Sequence, residues 1–278
     1  MSRWVSLSGL DRLTILLTAT AAFFVIMGMS QVFSDDDWVR HLERSPARER
    51  PHLGTTLRDL GHVRLPDLSW VTIYRQTLTL VPLWTLMVML VVVSARQNRH
   101  DPTRLVRRFA ALQTVLFALR AITLLGTRMP PADQSCVPAI SIHHPIHSAL
   151  RMIAHADLAC TDMIFSGHMT TAVSLWAVIS QDCANWETRL LGTVLLVICS
   201  LLLIATRLHY TVDVIAGFLI SILVAVLYAL AWRIVRFQYP NMAKSRTMPL
   251  YARVLHWIEG SDIPTRSSSR PPVASKQQ

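Results

Sequence analysis

Six ionisable residues stand in or beside the apolar stretches of this chain: Arg120, Asp162, His168, Arg207, His209 and Asp213. Ionisable groups inside or at the ends of membrane helices are costly to bury, and they mark functional sites. Two clusters hold five of them. In the first, Cys160-Thr161-Asp162-Met163-Ile164-Phe165-Ser166-Gly167-His168, Ser166 can cap a following helix and leave backbone N–H groups to face an anion. Gly167 lets a phosphate approach the backbone closely, and His168 can then protonate a leaving oxygen. The plainer reading is a helix N-cap followed by an incidental histidine. In the second, Arg207-Leu208-His209-Tyr210-Thr211-Val212-Asp213, His209 and Asp213 share a face if the chain is helical from Tyr210. The carboxylate can then accept one imidazole N–H and leave the other ring nitrogen free to attack. Arg207 adds a permanent charge whose planar fork suits phosphate. Here the plainer reading is an interfacial ion pair with an aromatic anchor.

Together the clusters suit attack on phosphorus. One histidine takes up the phosphoryl group, the other protonates the departing alcohol, and arginine neutralises the equatorial oxygens. The chemistry requires no cofactor. A zinc site from His168, His209 and Asp213 is the alternative use of the same donors.

The elements that must position these residues are membrane helices. The chain is 52% hydrophobic and only 16% charged, against about 25% charged residues in soluble domains. The deficit is concentrated in long apolar runs. Spans of about 20 residues are expected over 13–33, 78–93, 109–125, 165–179, 190–206 and 212–235. Pro82 falls in the first turns of the second, where a membrane helix tolerates it. The fold class is therefore all-α, a six-helix transmembrane bundle over residues 1–259, followed by a disordered tail over 260–278 rich in Ser, Pro and Arg. The first apolar run lacks a convincing small-residue cleavage site and is read as a retained helix.

Six spans put both termini on one side of the membrane. The 96–108 loop carries Arg96, Arg99, Arg104, Arg107 and Arg108 against Asp101, and the tail is basic, so these face the cytosol. Asp162, His168, Arg207, His209 and Asp213 then all fall on the opposite surface, with Arg120 in that half of the third span. The net charge of +10 lies between and after the apolar runs, which argues against nucleic acid as a partner. The four Cys form no CxxC pair. Cys136 and Cys160 both face the oxidising side and could pair. Asp35-Asp36-Asp37 reads as a solvated helix end, and His143, His144, His147 and His155 as loop histidines.

At the level of motifs the chain resembles the type-2 phosphatidic acid phosphatase superfamily, specifically its sphingomyelin synthase-like branch. Cys160 to His168 resembles that branch's Cys-Gly-Asp…Ser-Gly-His-Thr stretch, with Thr161 for Gly and Met169 for Thr. His209 to Val214 resembles its His-Tyr-Thr-x-Asp-Val stretch. Arg107-Arg108-Phe109, with Arg120 and Thr123, resembles its third-helix motif. Leu65-Pro66-Asp67 resembles its first-loop motif, with Arg64 in place of Pro. The resemblance covers about residues 60 to 220 in the family's order. It implies His209 as nucleophile, Asp213 as its orienting partner and His168 as general acid. Arg120, Asp162, Ser166, Gly167, Arg207 and Tyr210 are the expected substrate-binding residues. It further implies transfer of a phospho-head group (choline, ethanolamine or inositol) from a glycerophospholipid to ceramide, with release of diacylglycerol. The implied setting is the Golgi or plasma membrane, with a luminal or exoplasmic site. Membrane lipids are the expected partners, and homo-oligomerisation stays open. Hydrolysis of the same intermediate by water, as in a lipid phosphate phosphatase, is the alternative activity. A catalytically silent membrane scaffold is the alternative of a different class.

Overall fold

The computed structural model describes residues 8–44, 57–68, 70, 75–97, 101–127, 129–132, 136, 144–153, 159–161, 164–183, 185–239 and 248–260. Asp162, and the expected tail beyond Gly260, lie outside the described residues. Within them the chain is helical without strands: α1 Gly9–Arg44, α2 Leu60–Arg64, α3 Arg75–Gln97, α4 Arg104–Gly126, α5 Pro145–Ile153, α6 Gly167–Asp182, α7 Trp186–Ala205, α8 Thr211–Gln238 and α9 Leu250–Glu259.

Six of these helices coincide with the expected spans, but only five are long and apolar enough to cross a membrane: α1, α3, α4, α7 and α8. These five mark a multi-pass membrane protein. The expected six-span count is not met by length. α6 has 16 residues, about 24 Å of helix at 1.5 Å per residue, short of a ~30 Å hydrocarbon core. α6 is instead the enclosed element of the bundle. It packs against α3, α4, α7 and α8, and Ala172, Val173, Leu175 and Val178 are fully buried. The lipid-facing helices have the complementary pattern, with Trp84, Val88, Val91, Leu219 and Leu223 exposed. Such outward apolar faces need lipid around them, because soluble surfaces rarely carry patches of that extent.

α1 runs well past the expected end at residue 33. Asp35, read from sequence as solvated, is fully buried. It is held there because Cys160 N–H (3.0 Å), Thr161 N–H (2.7 Å) and the Thr161 hydroxyl (2.5 Å) all donate to its carboxylate. Cys136 and Cys160 form a disulfide, so the segment leading to His168 is tied down from two directions.

The opposite end of the bundle is closed by α9, which the sequence reading did not anticipate. Arg107 and Arg108, expected in a basic cytosolic loop, are buried. Arg107 Nη2 donates to Asp101 at 2.5 Å and Nε to the Ile258 carbonyl at 2.8 Å. Arg108 makes a bidentate pair with Glu259 at 2.9 and 2.8 Å and also reaches Asp182. The Tyr228 hydroxyl donates to the same Glu259 at 2.7 Å. Hydrogen bonds and the charge of Arg108 outweigh burial and hold the Glu259 carboxyl below its usual range. α9 ends on Gly260 at φ 70°. A Cβ there would meet Arg107 Nη2 and Asp101 Oδ2 at 2.6 Å, so the turn requires glycine on both conformational and steric grounds. These arginines sit at the start of α4, and Arg120 lies more than three turns along the same helix. The third-helix motif is thus divided between a structural clamp and the site.

Removing one member of a buried ion pair leaves the other uncompensated, at about 3–5 kcal/mol. Glu259→Ala should therefore lower the thermal unfolding temperature of the detergent-solubilised protein well below that of an exposed control such as Arg40→Ala. Equal unfolding temperatures would contradict the clamp.

Candidate active site

Ser166 adopts an extended backbone and caps α6, its Oγ accepting from Met169 N–H at 3.2 Å. The cap expected from sequence is present. It starts the helix at Gly167, so His168 sits in the first turn. Ser166 N–H itself donates to the Asp213 carbonyl at 3.1 Å. That bond joins the two sequence clusters directly. Gly217 lies one turn further along α8, and a Cβ there would come within 3.1 Å of Ser166 O. The backbones of α6 and α8 meet because that residue has no side chain.

The histidines face one another across this junction. The rings of His168 and His209 lie 6.1 Å apart, inclined at 62°. His209 is buried, and so is Asp213. His209 Nδ1 stands 3.9 Å from Asp213 Oδ2. The expected orienting pair is therefore assembled, at ion-pair rather than hydrogen-bond distance. The reason is local: the same Oδ2 accepts from Tyr210 N–H at 3.0 Å and caps the first turn of α8. Catalytic hydrogen bonds are often long before substrate binds. Burial lowers the pKa of His209 well below the ordinary imidazole value, and the nearby charges of Arg120 and His168 act in the same sense. With its Nδ1 edge toward Asp213, the ring turns Nε2 away from that carboxylate.

Arg120 enters from α4. Its Nη1 donates to the Phe165 carbonyl, and its guanidinium lies over the Phe165 ring, 5.6 Å from the centroid. Gly167 makes room for it: a Cβ at 167 would stand 3.1 Å from the guanidinium carbon. The glycine expected to admit a phosphate thus first admits the arginine that would bind one. Among the described residues, no group of three His, Cys, Asp or Glu side chains converges in the manner of metal ligands.

Two expected ligand contacts are occupied by the protein. The Tyr210 hydroxyl accepts from Leu57 N–H and donates to the Pro131 carbonyl, each at 3.0 Å, which makes it a strut between loops. Arg207 sits at φ 56°. Its Nη2 donates to the His62 carbonyl at 2.7 Å, and its Nε lies 3.6 Å from Asp67. Asp67 belongs to the first-loop motif, so that loop reaches the site.

Two residues beside the site escaped the sequence reading, Asp59 and His62. Asp59 accepts from Thr211 N–H at 2.8 Å and from the Thr211 hydroxyl at 2.6 Å. Although burial raises the Asp59 pKa, the hydrogen bonds from Thr211 and His62 lower it further and keep the carboxyl below its usual range. Burial lowers the pKa of His62, whose ring stacks against Tyr210 at 5.5 Å. His62 between Asp59 and Asp67 was the available signal, hidden in a loop whose charges balance, with seven Arg and seven acids over 34–75.

Residues 159–230, which contain both clusters, match the family model described as PAP2 superfamily C-terminal. Similar curated proteins are ceramide phosphotransferases. The phosphatidylinositol:ceramide inositolphosphotransferase of Leishmania major is 30% identical over 122 residues, covering 41% of this chain and 36% of that protein. The phosphatidylinositol:ceramide inositolphosphotransferase 2 of Arabidopsis thaliana is 26% identical over 176 residues, 59% of this chain and 56% of that protein. A phosphatidylethanolamine:ceramide ethanolaminephosphotransferase of Trypanosoma brucei brucei is 26% identical over 120 residues, 41% of this chain and 37% of that protein. The likeness is to the sphingomyelin synthase-like branch of the PAP2 superfamily. The matched stretch spans about a third to about a half of these relatives' length.

Two outcomes follow from the geometry. Gly167→Ala should displace the Arg120 guanidinium and reduce turnover by roughly 100-fold, the scale of a 1 Å misplacement. Full activity in that variant would contradict the close approach. Because the folded protein favours neutral His209, protonation of that ring should begin only below pH 6.5 as the pH falls. The acid limb of the activity profile that His209 controls should accordingly lie below 6.5, and a midpoint at or above 6.5 would contradict a buried neutral ring.

Proposed function

We propose that this protein is a sphingolipid synthase, moving a phospho-head group from a glycerophospholipid to the primary hydroxyl of ceramide. The observation that carries the reading is the facing pair His168 and His209, with the Arg120 guanidinium against Gly167, in a chain whose relatives bear ceramide phosphotransferase names. His209 Nε2 attacks phosphorus, and the bond to the diacylglycerol oxygen breaks. His168 gives that oxygen its proton, and diacylglycerol leaves. The ceramide hydroxyl oxygen then attacks the phosphorus held on His209 while its proton passes to His168. The P–N bond breaks and both rings return to their starting forms. Arg120 offsets charge on the non-bridging oxygens, and the positive N-terminal end of α6 adds to it. Asp213 holds His209 in the tautomer that leaves Nε2 unprotonated. Ser166 fixes that turn by capping it, and Asp162 is assigned to head-group contact.

In this reading residues 1–259 form one catalytic unit of six crossings, with α6 the enclosed sixth. The termini and the 96–108 loop face the cytosol, and the site faces the lumen or exoplasm of the Golgi or plasma membrane. The relatives named for inositol and ethanolamine transfer favour those head groups over choline.

Purified protein in mixed micelles should convert labelled ceramide to a phosphorylated product when phosphatidylinositol, phosphatidylethanolamine or phosphatidylcholine is offered singly. The productive donor names the head group, and His209→Ala should abolish the product. Silence with all three donors, together with phosphate release from phosphatidic acid, would overturn the transferase in favour of a lipid phosphate phosphatase.

A further inference from the structure

The chain around His209 is gripped from outside by a short segment of the first loop. Asp59 Oδ2 accepts from Thr211 N–H at 2.8 Å. Its Oδ1 accepts from the Thr211 hydroxyl at 2.6 Å and from His62 N–H at 3.0 Å. One carboxylate therefore caps α2 and binds the first residue of α8. His62 Nε2 lies 3.1 Å from the His209 carbonyl oxygen. A carbonyl only accepts, so the His62 ring carries its hydrogen on Nε2. The His62 carbonyl in turn accepts from Arg207. Residues 207, 209 and 211 are thus each held by this loop. Between them the Tyr210 ring stacks on His62.

The approach is closer than side chains normally permit. A Cβ at Gly61 would come 2.1 Å from Thr211 Oγ1 and 2.8 Å from Ile204 Cγ2. Only glycine lets α2 lie this close to the turn between α7 and α8. The turn carries Arg207 at positive φ, a conformation that is uncommon for a residue with a side chain and that persists only where surrounding contacts enforce it.

We infer that Asp59 and His62 are positioning residues. They fix the backbone at 209 and 211, and so the direction in which the His209 imidazole points relative to His168 and Asp213. This role rests on the reading of His209 as nucleophile. Neither side chain touches the reacting atoms in this scheme, and each acts through the backbone of its neighbour.

Conservative rescue separates this role from a general contribution to folding. The amide N–H of glutamine can take the place of the imidazole Nε2–H. In the full-length protein, assayed in mixed micelles with labelled ceramide and the productive donor, His62→Ala should lower kcat by about 100-fold with KM for both lipids little changed. His62→Gln should recover most of that loss. Asp59→Ala and Thr211→Val should each reduce kcat, and the double variant should be no worse than Asp59→Ala, as expected for partners in one interaction. Wild-type kcat in His62→Ala, or a His62→Gln variant no better than His62→Ala, would overturn the inference while leaving the nucleophile untouched. If Asp59→Ala does not yield folded protein, the His62 pair decides the matter alone. Turnover retained in His209→Ala would overturn the nucleophile and the inference together, and no other outcome does so.

Discussion

The hydrogen bond from Ser166 N–H to the Asp213 carbonyl is the contact on which the rest of the site depends. It joins the start of α6 to the start of α8, two elements separated by α7. Gly217 permits it, since a side chain there would press on Ser166. With these two helix starts pinned together, His168 in the first turn of one and His209 just before the other must face each other. Arg120 then needs only to reach Phe165 and Gly167 from α4. Separating the backbones by the width of a methyl group would move every one of these side chains.

The same end of the molecule concentrates buried polarity. His209, Asp213, Arg120, Asp35 and Ser166 are all nearly inaccessible, and burying such groups unpaired is costly. Backbone donors and acceptors offset part of that cost: Asp35 takes Cys160 and Thr161 N–H, Asp213 takes Tyr210 N–H, and Arg120 takes the Phe165 carbonyl. Groups held in this way meet the condition for electrostatic stabilisation that the proposed transfer requires. The far end uses its charges differently. Arg107 and Arg108 with Asp101, Asp182 and Glu259 fasten α9 across the helix ends, on the same helix that carries Arg120.

Much of this was legible in sequence because its physics is local. Apolar runs located six helices, five of them to within about five residues at each end and α1 with its last eleven residues missed, and Ser-Gly-His before an apolar stretch announced both the cap of α6 and the place of His168. Four-residue spacing put His209 and Asp213 on one face. What was not legible depends on contacts distant in the chain. Asp35 resembles its neighbours Asp36 and Asp37 until Cys160 and Thr161 arrive from more than a hundred residues away. Asp59 and His62 lie in a loop of balanced charge, and only docking against Thr211 and His209 distinguishes them. The short span expected at 165–179 stayed short as the 16-residue α6, but its enclosure by four other helices could be seen only in the packed bundle. Arg107 and Arg108 read as topology determinants because α9, their partner, is a ten-residue helix with no strong apolar run.

The central claim is that His209 carries the transferred group. The most direct measurement offers a glycerophospholipid labelled in its head-group phosphate to the purified protein without ceramide, then maps the label on the denatured chain. The account predicts an acid-labile label on the peptide containing His209, absent from His209→Ala and discharged when ceramide is added before denaturation. A label on another residue, or ceramide turnover by a protein that never acquires label, would contradict it.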